Sequence, residues 1–362
     1  MIGGLIRIWD NLLGRGEAAV TVPPLDGALC PNRMLDEADQ RFALADVDCL
    51  AEVSGELVAS AGSTIYTLKN GKDWSKRKGY EAEIACIASV GGDGFAVALA
   101  TGEITIEGGE FDGRQYQLPT DVGCITALAV SGSDLYIANG SATNGWKDWQ
   151  LDLLQRNASG SLWRINLESG AIARIADGLS YPAGIAVVGE RLVCSEAWKH
   201  RLVSINTSGI GEQAVLYAEL PGYPGRISAA EDGFWLTMFA PRSQLVEFVL
   251  REPAYRRRMI AEVPQEFWIA PKLRSGRSFY EAMQGGSVKQ LGLLKPWSPT
   301  MSAGLLVKLD GDFQPVASLH SRADGVTHGL TCTVERNGRV FAAARGDGVV
   351  VSIGLDEIGD GE

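Results

Sequence analysis

A short phrase recurs six times along this chain, and it limits the chain to an architecture of six like units. It runs as a conformationally restricted residue, one variable position, a small residue or Cys, Leu or Ile, then Ala, Ser or Thr. The copies are VDCLA (47–51), ACIA (85–88), ITALA (125–129), PAGIA (182–186), PGRIS (224–228) and THGLT (327–331). A Gly- or Asp-bearing turn follows each copy, then a second apolar run: GELVASAG, DGFAVALA, SDLYIANG, ERLVCSEA, DGFWLTMF and GRVFAAAR. A third run comes next, directly or after an insertion: TIYTLKNG, GEITIEGG, GSLWRINL, HRLVSINT, GLLVKLDG and VVVSIGLD. Repeats of roughly 40 residues built from short strands are the signature of a β-propeller. The expected fold is therefore all-β, a six-bladed propeller.

The blades are predicted over 42–80, 81–120, 121–180, 181–222, 223–323 and 324–356. The last has only three strand runs, counting its phrase, and a closed ring needs a fourth. Ala18–Val22, rich in β-branched residues and ending at a Pro-Pro pair, is expected to supply it. Closure of this kind ties the two ends of the ring together and leaves no open sheet edge. The propeller thus occupies 17–362. Residues 1–16 read as a short amphipathic helix, with Ile2, Leu5, Ile6, Trp9, Leu12 and Leu13 on one face. Packing on the propeller and lying in a membrane interface both suit such a helix. Arg7 and Asp10 break its apolar run, which argues against a secretory leader.

The net charge of −11 argues against nucleic acid as a partner. Cys30, Cys49, Cys86, Cys124, Cys194 and Cys332 show no CxxC spacing and sit mostly inside strand patterns. They read as small buried apolar residues, which points to a reducing, cytoplasmic setting. Two blades are oversized. Blade 3 carries an insertion over about 142–159, with Trp146, Trp149 and the helical WQLDLLQRN. Blade 5 carries a longer one over about 242–302, with the run Tyr255-Arg256-Arg257-Arg258. Residues 242–300 have a net charge of +5, leaving −16 for the rest. A basic appendage on an acidic body suits an anionic lipid, an acidic protein face or an anionic substrate. Solvated helices explain it equally well. Both insertions separate the second strand of a blade from the third, so both are expected over the same mouth of the central channel.

Blades 3 to 6 resemble the strictosidine synthase-like family, allied to the gluconolactonase and paraoxonase six-bladed propellers. The residues that carry the resemblance are GSLWRINLESGAI (160–172), GLSYPAGIAVVGERLVCSEAWKHRL (178–202), ELPGYPGRISAAEDGFWLTMFAPR (219–242) and GLLVKLDGDFQPVASL (304–319). The resemblance implies a site on the central axis. In metal-dependent relatives a divalent ion sits there, held by side chains at the second position of the phrase. In this chain that position reads Asp48, Ala85, Thr126, Ala183, Gly225 and His328, followed in blade 5 by Arg226. One carboxylate, one hydroxyl and one imidazole make a poor cage for a hard cation that takes about six to eight oxygens. The expectation is no metal and no cofactor, with a softer transition metal held by His328 and Asp48 as the alternative. In the synthase the acid–base residue is an axial glutamate of the last blade. The matching position is His328, which argues against the synthase reaction itself.

The expected catalytic set is His328 as base, Asp48 as its orienter across the closure of the ring, and Arg226 as holder of an anion or oxyanion. Glu196, Asn139, Thr126, Trp198, Phe239 and Arg345 are expected to contact a small-molecule substrate at the mouth. Each has a structural alternative: His328 with Asp48 as a buried plug, Arg226 as a neutralising charge, Glu196 as a loop anchor. No GxSxG elbow, Walker loop, HExxH or dinucleotide fingerprint occurs. The leading expectation is a metal-independent hydrolase of an ester or lactone. Beside it stand a non-catalytic small-ligand binder and a scaffold docked to a membrane or membrane protein through 242–302 or the N-terminal helix.

Overall fold

The computed structural model describes residues 22–276, 289–290, 293–294 and 301–358. The helix expected over 1–16 lies outside them. Six four-stranded antiparallel sheets stand around one axis as the blades of a propeller. Blade 1 is Val47–Val53, Glu56–Ala61, Thr64–Lys69 and Asp73–Gly79. Blade 2 is Ile84–Gly91, Gly94–Leu99, Glu103–Glu107 and Gln115–Gln117, and blade 3 is Ile125–Ser131, Asp134–Asn139, Gly160–Asn166 and Ile172–Leu179. Blade 4 is Pro182–Val188, Arg191–Glu196, Arg201–Asn206 and Ala214–Tyr217, and blade 5 is Gly222–Ala230, Gly233–Pro241, Gly304–Leu309 and Pro315–Ser321. Blade 6 takes Leu330–Arg336, Arg339–Ala344 and Val349–Gly354, with Gln40–Ala43 as its outer strand.

The inner strands are apolar on both faces because each is flanked by two blades. Gly94–Leu99 is buried at every position, whereas the outer strand Asp73–Gly79 is exposed at nearly all of them. The hairpin after the first strand of blade 6 turns at Asn337 and Gly338, with φ of 50° and 70°. Two successive positive φ values make the turn whose twist matches its strands. Side chains at the third phrase position meet across blades near the axis. The Cys49 Sγ lies 3.4 Å from that of Cys86 and 3.7 Å from that of Cys332. All six thiols are free and five are buried.

The ring closes differently from expectation. The outer strand of blade 6 is Gln40–Ala43, paired with blade 6 from Gln40 opposite Ser352 to Ala43 opposite Val349. Of the expected strand Ala18–Val22, only Val22 is described, and it is not in a strand. QRFA gives little strand signal in sequence. An outer strand buries one face only, and here Phe42 alone is buried.

The two inserted segments meet over one end of the channel. In blade 3, helix α1 (Trp149–Gln155) follows a single 3-10 turn. In blade 5, α2 (Gln244–Arg251) and α3 (Pro253–Glu262) follow the second strand, and the Ser243 side chain caps α2 by accepting from Val246 N. Leu154 of α1 packs with Val249, Met259, Trp268 and Ala270 in a small core of their own. Arg256, from the basic run, turns inward to the Leu154 carbonyl, while Arg258 pairs with Glu262 on the surface. Among the described residues no helix is long and apolar enough to cross a membrane.

Candidate functional site

The axis is built from one irregularity used six times. In every blade the innermost strand slips register against the second strand at the start of the repeat. The slips fall between Val47 and Cys49, Ile84 and Cys86, Ile125 and Ala127, Pro182 and Gly184, Pro224 and Ile227, and Leu330 and Cys332. A bulge takes one residue out of the ladder and leaves its backbone groups free for other partners. The residues so released are Asp48, Ala85, Thr126, Ala183, Gly225 with Arg226, and Thr331.

The sixth is Thr331, not His328. The THGLT copy fits the phrase by composition, but the structural copy is LTCTV (330–334), three residues on. Its fourth position is Thr333 rather than Leu or Ile, so it escapes the pattern. The spacing from phrase to hairpin turn carries the signal. Cys332 opposite Ala343 repeats the offset of Cys49 opposite Ser60.

His328 is accordingly withdrawn from the axis. Its Nε2 donates to the Arg322 carbonyl at 2.6 Å, and its Nδ1 accepts from the Ser302 hydroxyl at 2.9 Å. Because a carbonyl only accepts, the proton sits on Nε2. Burial, helped by the Arg274 guanidinium, pushes its pKa down, so it is a neutral crosslink between loops. The expected His328–Asp48 pair is not formed, and the base it was to supply is missing.

Arg226 sits at the hub and spends all five of its N–H donors on the protein. Nε donates to Thr126 O at 2.8 Å. Nη1 donates to Asp48 O at 3.1 Å and Thr331 O at 3.2 Å. Nη2 donates to Asp48 Oδ2 at 2.7 Å and Ala85 O at 3.0 Å. No donor is left for a substrate anion, so the expected oxyanion role fails. The other carboxylate oxygen, Asp48 Oδ1, accepts from Arg345 Nη1 at 2.9 Å. Burial alone would raise the Asp48 pKa, but the two guanidiniums overcome it and hold the carboxyl below its usual range. An ionised acid between two guanidiniums leaves the floor with a net charge of +1.

Above this floor lies a cavity of about 270 Å³, lined by Asp48, Thr126, Thr331, Arg226 and Arg345 below and Trp146, Trp149, Tyr181, Phe239 and Leu273 around. The Arg345 guanidinium lies 4.6 Å from the Trp146 ring centroid. Trp149 meets Phe239 edge-on at 5.4 Å. Tyr181 holds a left-handed φ of 56°, unusual for a bulky residue, one position before the innermost strand of blade 4. Its ring stacks on Trp198 at 4.3 Å.

Of the expected residues, Asp48, Arg226, Thr126, Phe239 and Arg345 come together at this cavity, and four do not. Trp198 stands behind Tyr181, its indole N–H donating to Asp152 Oδ1 at 2.7 Å. Asn139 is a fully buried brace that accepts from Cys124 N and donates to Asp121 O. Glu196 is fully buried and accepts from Ser180 N at 2.9 Å, Lys199 at 3.0 Å and Arg201 Nε at 2.6 Å, so it anchors its loop. Sequence reasoning missed Thr331, Tyr181 and the tryptophans of α1 and its preceding turn as wall residues. Aromatic residues in an insertion over the mouth were the available signal.

No family model matches the sequence, and no curated protein matches it either. Solved structures match in fold. A calcium-binding protein, regucalcin, from Agrobacterium tumefaciens is 13% identical, covering 92% of this chain and 95% of its own, with a TM-score of 0.52. A gluconolactonase from Xanthomonas campestris is 13% identical with the same coverage and a TM-score of 0.53. A luciferin-regenerating enzyme is 12% identical, covering 86% of this chain and 93% of its own, with a TM-score of 0.52. The chain is a six-bladed propeller whose structural neighbours are of the gluconolactonase and regucalcin kind.

Proposed function

We propose that the propeller captures a small, largely apolar or aromatic molecule bearing an anionic group, in the cavity above the hub. The observation that carries this is Arg345. Its guanidinium faces the cavity with one donor used on a side chain, and the Asp48 charge is already balanced by Arg226. The surplus positive charge sits among Trp146, Trp149, Tyr181 and Phe239, which suits a flat acid rather than a sugar. The volume falls just below the low end of small-molecule sites, which run from about 300 to 1,000 Å³.

A second reading is hydrolysis of an ester or lactone, in keeping with the gluconolactonase-like fold. Asp48 favours it as an ionised carboxylate on the cavity floor. A carboxyl held below its ordinary pKa between two guanidiniums is a weak general base, which ranks this reading second. The strictosidine synthase-like resemblance of blades 3 to 6 bears on architecture. The axial acid–base residue it implied would fall at Thr331, whose hydroxyl does not ionise near neutral pH and is already donated to Asp48 O.

Calorimetric titration with matched aromatic acids and their amides tests the binding reading. The acid should bind at least about tenfold tighter to the wild type, and Arg345→Ala should erase the difference. Equal affinity for acid and amide in the wild type would overturn it. Turnover of a lactone panel that vanishes in Asp48→Asn would promote the second reading.

A further inference from the structure

One neighbour is described as calcium-binding, and a sixfold axis invites a cation. The donors present here do not fit a divalent ion. Calcium takes about six to eight oxygens at roughly 2.3–2.6 Å. The axial residues offer one carboxylate. The two hydroxyls are turned to other work: Thr331 Oγ1 donates to Asp48 O at 2.6 Å and Thr126 Oγ1 to Pro182 O at 2.6 Å. The carbonyls of Asp48, Ala85, Thr126 and Thr331 converge, but on the Arg226 guanidinium. Among the described residues no group of three His, Cys, Asp or Glu is arranged for a metal.

We infer that the Arg226 side chain is a tethered cation standing where a free ion would otherwise join the blades, so the hub of this propeller is closed by its own arginine. Three observations converge on it. The guanidinium reaches carbonyls of blades 1, 2, 3 and 6 from a strand of blade 5, so one side chain links five of the six innermost strands. Its donors and their acceptors match one for one. The backbone that presents it is secured in turn. The Thr237 hydroxyl donates to Arg226 O at 3.2 Å, and the Ser195 hydroxyl of blade 4 donates to Gly225 O at 2.8 Å. A planar fork with five fixed donors suits a ring of carbonyls better than a lysine ammonium does.

A cation carried on the chain cannot be chelated away, and removing it leaves a hole of known chemistry. Four carbonyls and a carboxylate would then face an empty axis, a site shaped for a guanidinium ion. Three melting experiments without ligand test this, so their outcome is independent of the cavity reading. In the first, Arg226→Ala should melt roughly 5–10 °C below the wild type. Methylguanidinium at about 10 mM should recover much of that loss, potassium chloride at equal ionic strength should not, and the wild type should gain nothing. Melting unchanged by the substitution, or equal stabilisation of both proteins, overturns the inference. In the second, Arg226→Lys keeps the charge but not the fork, and should also melt below the wild type. A lysine variant as stable as the wild type overturns the inference even where the alanine variant does not fold. In the third, the wild type is melted with calcium and with chelator, and the curves should coincide. A calcium-dependent rise in Tm that Asp48→Asn removes would mean that a free ion belongs at the hub.

Discussion

Asp48→Asn is the most direct probe of the hub, because one carboxylate there holds two guanidiniums. The substitution keeps the shape and removes the charge. The wild-type carboxylate accepts two charge-assisted bonds, from Arg226 at 2.7 Å and Arg345 at 2.9 Å. Such bonds contribute about 1.5–3 kcal/mol each. The asparagine oxygen can keep one of them at reduced strength. Its amide nitrogen then points donors at the other guanidinium. Arg345 can recover part of its loss from water, since its side chain is 23% exposed, whereas Arg226, at 13%, has only its backbone acceptors left. The net cost is about 3 kcal/mol, near the lower end of the range for breaking a buried pair. Urea unfolding at neutral pH should show it as a lower midpoint with an unchanged slope. The pH dependence gives a second check. The folded-state pKa of Asp48 is depressed, so its stabilisation is complete above the ordinary carboxylate value of about 3.9 and drains away as pH falls through the folded value. The two stability curves should therefore converge in acid. The floor of Asp48→Asn carries +2 rather than +1, so an aromatic acid should bind it more tightly even as the fold weakens. A variant as stable as the wild type at pH 7, or a gap that persists unchanged in strong acid, would refute this account of the hub.

Gly184→Ala should destabilise the protein by about 2–3 kcal/mol, because the added methyl would collide with Gly225 O and lie 2.7 Å from the Arg226 Cα, both backbone atoms of the next blade. Unfolding in urea measures it, and a neutral result would mean that blades 4 and 5 do not meet this closely. His320, buried with only the Ser318 hydroxyl on its ring, has its pKa pushed down to about 4. The unfolded chain binds its proton first, so stability should fall by up to about 3 kcal/mol as pH drops from about 6.5 to 4. His320→Asn should flatten that limb of the pH–stability curve, and an unflattened limb would assign the proton uptake elsewhere.

The legible and illegible parts of this chain differ in the range of the interaction behind them. Innermost strands are sandwiched between blades, so they must be apolar on both faces and small at the third phrase position. Cys49, Cys86, Ala127 and Gly184 meet that demand, as does Cys332 once its blade is read by spacing, while Arg226 breaks it in blade 5; the turn and second apolar run after every copy are why six blades could be counted. Gln40–Ala43 meets a weaker demand, one buried face at the rim, and its four residues carry no pattern that sets them apart from loop. The axial list was right in five blades and wrong in the sixth. His328 satisfied the composition of the phrase, while Thr331 satisfied its spacing to the hairpin, and spacing is what strand pairing enforces. Glu196 and Asn139 looked like site residues because they close the second strands of their blades near the mouth. Their side chains turn instead to backbone groups of the preceding loop, and Glu196 also to the Lys199 and Arg201 side chains.

The sequence alone determined that this chain builds six similar sheets, since each repeat carries its own turn, its own alternation and its own need for a neighbour on either side. It also placed an arginine and a lone aspartate near the centre. Only the tertiary structure decided what they do there. The acceptors of Arg226 lie in four other blades, up to 178 residues away, and each exists only because a bulge releases a carbonyl from its ladder. A partner made of backbone oxygen leaves no mark in side-chain identity, so the closure of the hub is written in the geometry of the ring and nowhere in the order of its residues.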